Sequence, residues 1–149
     1  MADLERALYL AVVAHQGQVD KVGAPYILHP LRLMLRAGSE EAKIIAVLHD
    51  TIEDTSLTLE QLQAEGFSET VLTVLDLLTH RAGHTYPEYM ERVMTHPLAM
   101  QIKLLDLEDN MDVRRLQSQL SEHDRQRLAK YEHYWTQLRS TLFFSGSVP

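Results

Sequence analysis

Apolar residues recur along the chain at three- and four-residue spacing. Leu4, Ala7, Leu8, Ala11 and Val12 form the first such series, which predicts an amphipathic helix over roughly residues 2–16. Two glycines and a proline between Gly17 and Pro25 break it. His29-Pro30 marks a new helical start, because proline suits a first helical turn, and this helix ends near Gly38. Ser39 reads as an N-cap with Glu40 and Glu41 in the favourable first turn. Ile44, Ile45, Val47 and Leu48 then make a helix that is apolar over much of its girth. Thr58 with Gln61 forms a capping box before a short helix that stops at Gly66. Ser68 to Thr79 carries Val71, Leu72, Leu75 and Leu78 on a further helix, and Arg81 to Thr85 is a loop. Pro87 to about His96 is helical, and Pro97 opens a helix bearing Met100, Ile102, Leu104, Leu105 and Leu107. Ser121 with Asp124 caps a last helix through Tyr131, Tyr134 and Leu138, and Gly146 to Pro149 is a loose tail. No alternating strand pattern and no internal repeat is visible. The expectation is an all-α single domain over residues 1–145, with about seven or eight helices around one core.

Composition narrows the function classes. The chain has 149 residues, which is one domain's worth. It has no cysteine, which excludes disulfides, thiolate metal sites and a cysteine nucleophile. Lys and Arg number 14 against 21 Asp and Glu, a net charge of -7. Such a surface repels a nucleic-acid backbone at long range, while a small anion in a locally positive pocket stays open. The longest apolar run, Leu8 to Ala14, falls far short of the ~18 residues a membrane helix needs. Asp3, Glu5 and Arg6 stand where a signal peptide would be apolar. These features lead us to expect a cytoplasmic protein with no membrane or nucleic-acid partner, homo-oligomerisation being left open.

The segment Leu48-His49-Asp50-Thr51-Ile52-Glu53-Asp54-Thr55 concentrates polar side chains directly after an apolar helix. On a continuous helix His49 and Glu53, Asp50 and Glu53, and Asp50 and Asp54 share a face. Three carboxylates crowded together repel unless a cation sits among them. A divalent metal on His49 and Asp50 would resolve that repulsion and leave Glu53 and Asp54 to handle protons or position a water. Taken alone, the segment fits a helix C-terminus fraying into a solvated acidic loop equally well. His29 at a helix start and Asp106 between leucines add to it, because an unpaired carboxylate there would be costly to bury. His29, His49, Asp50 and Asp106 together form a nitrogen–oxygen donor set that suits Mn²⁺, Fe²⁺ or Zn²⁺.

His29, His49-Asp50 and Asp106 resemble the signature of the HD-domain phosphohydrolases. Ala14-His15-Gln16-Gly17-Gln18, Gly23-Ala24-Pro25-Tyr26-Ile27-Leu28-His29-Pro30, the segment from Leu48 to Thr55, and Lys103-Leu104-Leu105-Asp106 with Asn110-Met111 resemble the hydrolase domain of RelA/SpoT-type enzymes. The likeness covers roughly residues 4–115, and the chain is similar to the small alarmone hydrolases, the metazoan SpoT homologues among them. It implies an HD-type helical bundle that uses Mn²⁺ to remove the 3′-pyrophosphate from guanosine tetra- or pentaphosphate, or from the adenosine analogue. It implies that His29, His49, Asp50 and Asp106 hold the metal, that Glu53 and Asp54 activate and orient water, and that Asn110 contacts the nucleotide. Two positions depart from the family pattern. Asp20-Lys21 stand where the family has Arg-Lys, and an aspartate cannot stack on a base as a guanidinium does. Leu105-Asp106-Leu107-Glu108-Asp109-Asn110 replaces Ala-Asp-Arg-Leu-His-Asn.

Lys21, His80 and Arg81 are candidate phosphate or ribose contacts, His80 and Arg81 because the resemblance places their loop near the substrate phosphates. His15 reads as structural, or as a support for a ligand through its second ring nitrogen. Arg114 and Arg115 read as a solvated face from which one could reach substrate. Tyr86, Tyr89, Tyr131, Tyr134 and Trp135 read as core or interface, and Glu108 and Asp109 as facing solvent. The alternatives are an HD-type phosphatase of another nucleotide, such as a deoxynucleotide or NADPH, a nucleotide sensor without catalysis, and a helical bundle serving protein interaction.

Overall fold

The computed structural model describes residues 1–116 and 118–145, and the expected tail over 146–149 lies outside them. The elements are α1 (Leu4–Ala14), α2 (Leu28–Arg36), α3 (Glu40–Leu48), α4 (Thr51–Asp54), α5 (Leu59–Glu65), α6 (Glu69–Leu77), α7 (Tyr86–Val93), α8 (Pro97–Asn110) and α9 (Glu122–Ser145). A 3-10 turn, Val113–Arg115, separates α8 from α9. Eight of the helices have seven residues or more, and α4 is a single turn. Among the described residues the only β pairing is one isolated antiparallel bridge, Val19 to Pro25. The all-α expectation therefore holds, and no helix there is long and apolar enough to cross a membrane.

Local chemistry starts and stops these helices. Asp3 accepts the Arg6 backbone N–H at 2.9 Å, so α1 begins at Leu4. Ser39 caps α3 through the Ala42 N–H at 3.1 Å. Thr58/Gln61 and Thr85/Glu88 are complete capping boxes. Ser121 and Asp124 exchange hydrogen bonds ahead of α9. Gly66 ends α5 with φ +94°, a left-handed conformation that a side chain would disfavour. The last helix runs well past Leu138, to Ser145.

The core is organised around α3. Ala42 and every residue from Ile44 to Leu48 are buried, so this helix is covered on all sides. It packs against α1, α2, α6 and α8. Leu33 of α2, Ala7 and Ala11 of α1, Val74 and Leu75 of α6 and Leu107 of α8 are fully buried in the same cluster. α9 closes the bundle over α8 with Leu138 and Leu142.

One expectation fails within this core. His49 to Asp54 do not continue a single helix. α3 stops at Leu48, whose carbonyl accepts the Thr51 hydroxyl at 2.7 Å. Asp50 takes φ -100° and ψ -3° before α4 begins, in the sparsely populated bridge region where many active-site residues sit. The face-sharing derived from an unbroken helix therefore does not apply, and the kink is what turns His49 and Asp50 towards the same point. Ile45 is fully buried, whereas Leu35 is 76% exposed. Ile45→Ala should accordingly lose about 2–5 kcal/mol in urea denaturation, and Leu35→Ala should stay within about 0.5 kcal/mol of wild type.

Candidate metal centre and active site

Four side chains converge where α2, the α3–α4 kink and α8 meet. His29 enters from the first turn of α2, His49 and Asp50 from the kink, and Asp106 from the buried middle of α8. His29 Nε2 lies 3.0 Å from Asp106 Oδ1 and 3.6 Å from Asp50 Oδ2. His49 Nε2 lies 3.0 Å from Asp50 Oδ2 and 3.6 Å from Asp106 Oδ1. Donor atoms of His29, His49 and Asp106 all fall within 4.8 Å of one another.

The remaining hydrogen bonds orient these donors. His29 Nδ1 lies 2.6 Å from Asp109 Oδ2, and His49 Nδ1 lies 2.7 Å from the Ala46 carbonyl. Both partners are acceptors, so each imidazole donates from Nδ1 and turns its Nε2 to the centre. His49 Nε2 is buried and has no hydrogen-bond partner. A buried ring nitrogen aimed at two carboxylates is placed as a cation ligand is placed. The donor set therefore fits a divalent ion, with hard carboxylate oxygens balanced by imidazole and no sulfur.

Electrostatics bear this out. Burial opposes charge on His29, but its hydrogen bonds to Asp106 and Asp109 outweigh it and hold the ring above its ordinary pKa. His49 is likewise pushed down by burial and raised well above the ordinary value by Asp50 and Asp106. Burial opposes ionisation of Asp106, yet the Lys103 ammonium, 2.7 Å from its Oδ2, and the two imidazoles hold it well below the usual carboxylate range. Asp50 is lowered in the same way by His49, against its own burial. Protons on the imidazoles thus do in this state what a bound cation would do.

Glu53 and Asp54 follow on α4. Glu53 Oε1 accepts the His80 backbone N–H at 2.6 Å, which fixes its carboxylate across from the α6–α7 loop. Burial raises its pKa, opposed by that hydrogen bond. Burial and then the Asp50 charge raise Asp54. Asp54 is also held through its backbone carbonyl, which accepts Gln18 Nε2 at 3.0 Å, while Gln18 Oε1 faces His15 Nδ1 at 2.8 Å. His15 is therefore built into the support of α4.

Two cavities flank the centre. The larger, about 330 Å³, opens on the His29 side between Lys21, Tyr26, Arg32, Asn110, Arg115 and Tyr131. The smaller, about 80 Å³, lies on the His49 side between Glu53, His80, Tyr86 and Lys103. Lys21 and Asn110 thus stand in one cavity and His80 in the other. Asn110 also donates from Nδ2 to Asp106 Oδ1 at 2.9 Å. Arg81 is brought to neither cavity and pairs with Asp76. Asp20 lines the larger cavity but its Oδ1 turns back to accept the Val22 and Ala24 N–H groups, each at 2.9 Å. Asp20 is thus a loop-closing carboxylate.

Several residues of the site were given a different role from the sequence, or none. Asp109, expected to face solvent, is buried and takes the Arg32 guanidinium at 2.8 and 2.9 Å as well as His29. Arg115 reaches back to the Asp109 carbonyl at 2.8 Å. Glu108 pairs with Arg36 and accepts Trp135 Nε1 at 3.3 Å instead of standing free. The Tyr26 hydroxyl donates to Asp50 Oδ2. The one available signal was spacing: Lys103, Asp106 and Asp109 recur every third residue along α8.

No family model matches the chain. It is 31% identical over 137 residues to the guanosine-3′,5′-bis(diphosphate) 3′-pyrophosphohydrolase of Aquifex aeolicus, covering 86% of this chain and 20% of that protein. It is 30% identical over 139 residues to the Borreliella burgdorferi protein of the same name, covering 84% of this chain and 20% of that one. A GTP pyrophosphokinase of Streptomyces coelicolor is 32% identical over 124 residues, covering 74% of this chain and 14% of its own length. The chain spans a fifth or less of the length of these relatives. A solved structure described as "A metazoan ortholog of SpoT hydrolyzes ppGpp and plays a role in starvation responses" superposes with a TM-score of 0.72 at 18% identity, over 99% of this chain and 98% of the other. At that identity the superposition speaks for the fold, and the curated relatives speak for the lineage. The chain belongs to the RelA/SpoT group as its HD-type hydrolase domain.

Proposed function

We propose that the protein is a metal-dependent pyrophosphohydrolase that removes the 3′-pyrophosphate from a purine alarmone nucleotide in the cytoplasm. Guanosine tetra- or pentaphosphate is the first substrate and the adenosine analogue the second. The observation that carries this reading is the convergence of His29 Nε2, His49 Nε2, Asp50 Oδ2 and Asp106 Oδ1 between two cavities. The names of the curated relatives supply the substrate.

His29, His49, Asp50 and Asp106 would hold the ion, with Mn²⁺ proposed for this mixed nitrogen and oxygen set. When bound, a divalent ion supplies Lewis-acid polarisation of a phosphoryl oxygen and a more acidic water. Glu53 takes the proton of the attacking water, a role suited to a carboxylate whose burial has raised its basicity. Asp54, fixed through Gln18, orients that water. The water oxygen bonds to the phosphorus attached to ribose O3′, the P–O3′ bond breaks, and O3′ takes up a proton. The products are inorganic pyrophosphate and a nucleotide with a free 3′-hydroxyl. The larger cavity holds the nucleoside, with Lys21 and Asn110 as its contacts, and His80 borders the phosphate side. Arg81 would join only if its pairing with Asp76 were exchanged for a phosphate.

A second reading has its own support. Asp20 is committed to its turn, so the base-stacking arginine of the family has no counterpart at that position. A phosphatase acting on a deoxynucleotide or NADPH would release orthophosphate instead.

With Mn²⁺, purified protein should release pyrophosphate from guanosine or adenosine 3′-pyrophosphates, read by product chromatography, and His49→Ala should abolish it. Orthophosphate as the sole product would replace this reading with the second, and no turnover of either nucleotide would overturn it. Glu53→Gln should lower kcat by about 10²–10⁴-fold with KM little changed, the scale of a lost general base. Wild-type kcat in that variant would remove Glu53 from the mechanism.

A further inference from the structure

The smaller cavity contains a cation and a hydroxyl that the reaction above does not use. Lys103 sits one helical turn before Asp106 on α8 and is only 9% exposed. A buried ammonium is costly and carries three donors. Its Nζ donates to Asp106 Oδ2 at 2.7 Å, and it otherwise faces the rings of Tyr89 and Tyr86, at 5.2 and 5.9 Å from their centroids. The Tyr86 hydroxyl, at the start of α7, is buried without a hydrogen-bond partner. The Tyr86 ring itself is well held, 5.0 Å from the Tyr134 ring and 3.7 Å from Lys130 Nζ. Both groups line the same cavity of about 80 Å³ as His49, Asp50, Glu53 and His80.

Charge counting gives this arrangement a direction. Once a divalent ion engages Asp50 and Asp106, those two carboxylates are neutralised. Glu53 on the facing wall is then the remaining carboxylate near the Lys103 ammonium, which has donors to spare. An anion in the cavity would take a Lys103 N–H and satisfy the Tyr86 hydroxyl. Glu53 forms another wall, so an electrophilic anion seated there would lie beside the group that takes the water's proton.

We infer that Lys103 and Tyr86 are catalytic residues that grip the phosphoryl group under attack in the smaller cavity. Lys103 donates to a non-bridging oxygen and is the larger contributor. The Tyr86 hydroxyl donates to the same phosphoryl group. Charge that builds on those oxygens during attack is met by fixed donors in a dry site, where such donors act most strongly. This inference rests on the pyrophosphohydrolase reading for its substrate, but not for its anion.

Two variants and one ligand separate the possibilities. Tyr86→Phe keeps the ring and deletes only a hydroxyl that has no partner. A structural role would leave both stability and turnover unchanged. The inference expects unchanged or higher Tm with kcat lowered about tenfold, the scale of one lost hydrogen bond to an ionised group. Lys103→Met should lower kcat by about 10²–10³-fold, the scale of one lost oxyanion donor. Inorganic pyrophosphate binding to the Mn²⁺-loaded protein, measured by calorimetry, provides a readout free of turnover. Wild type should bind it, Tyr86→Phe more weakly, and Lys103→Met at least tenfold more weakly while still binding Mn²⁺. Wild-type turnover and pyrophosphate affinity in Tyr86→Phe and Lys103→Met would overturn the inference while leaving the reaction itself intact. A wild-type protein that binds no pyrophosphate would also overturn it. Wild type that binds pyrophosphate in the expected order but cleaves neither nucleotide would keep the inference and overturn the substrate.

Discussion

Three carboxylates, Asp50, Asp106 and Asp109, are held with two imidazoles in the interior of a small bundle, and their mutual repulsion is the constraint that the site is built to meet. Each is answered by a specific group. Asp109 takes His29 Nδ1 and the Arg32 guanidinium. Asp106 takes Lys103 and Asn110. Asp50 takes the Tyr26 hydroxyl and lies beside both Nε2 atoms. These partners come from α2 and the loop before it, the α3–α4 kink and α8, so that His29 and Asp109 meet across 80 residues of sequence. Breaking one would leave a buried charge uncompensated, a costlier change than deleting an apolar contact of the same size.

The scaffold places this charge at the end of its most buried helix. α3 is enclosed on all sides, so its C-terminus has little freedom, and the kink at Asp50 converts that rigidity into a fixed direction for His49 and Asp50. α8 plays the matching part from the opposite side, carrying Lys103, Asp106 and Asp109 on surfaces that the bundle covers. The centre then divides the available space into a roomy side bearing cations and a tight side bearing Glu53, Lys103 and Tyr86.

The fold was legible wherever caps and apolar spacing agree, as at Ser39, Thr58 and Ser121. The four central donors were legible as residue types, because His49-Asp50 and Asp106 sit in apolar surroundings that only a paired or metal-bound group tolerates. Their geometry was less so. An unbroken helix from Ile44 to Asp54 is equally compatible with the pattern, and the break shows only in the backbone, where Asp50 takes φ -100° and ψ -3°. Asp109 was misread because charge usually means solvent. α8 is buried over most of its girth, so polarity there marks ion pairs and not an outer face. Tyr26 and Arg32 gave no local signal, since their partners lie 24 and 77 residues away.

A divalent ion that bridges buried groups of α2, α8 and the α3–α4 kink would tie the stability of the bundle to its own binding. Urea denaturation of the wild type and of His49→Ala, each with and without Mn²⁺, tests this most directly. With free Mn²⁺ at a hundredfold excess over its dissociation constant, the wild type should gain about 2.7 kcal/mol. His49→Ala should gain little at the same concentration. Equal stability of the wild type with and without the ion would contradict the metal centre on which the rest of the account stands.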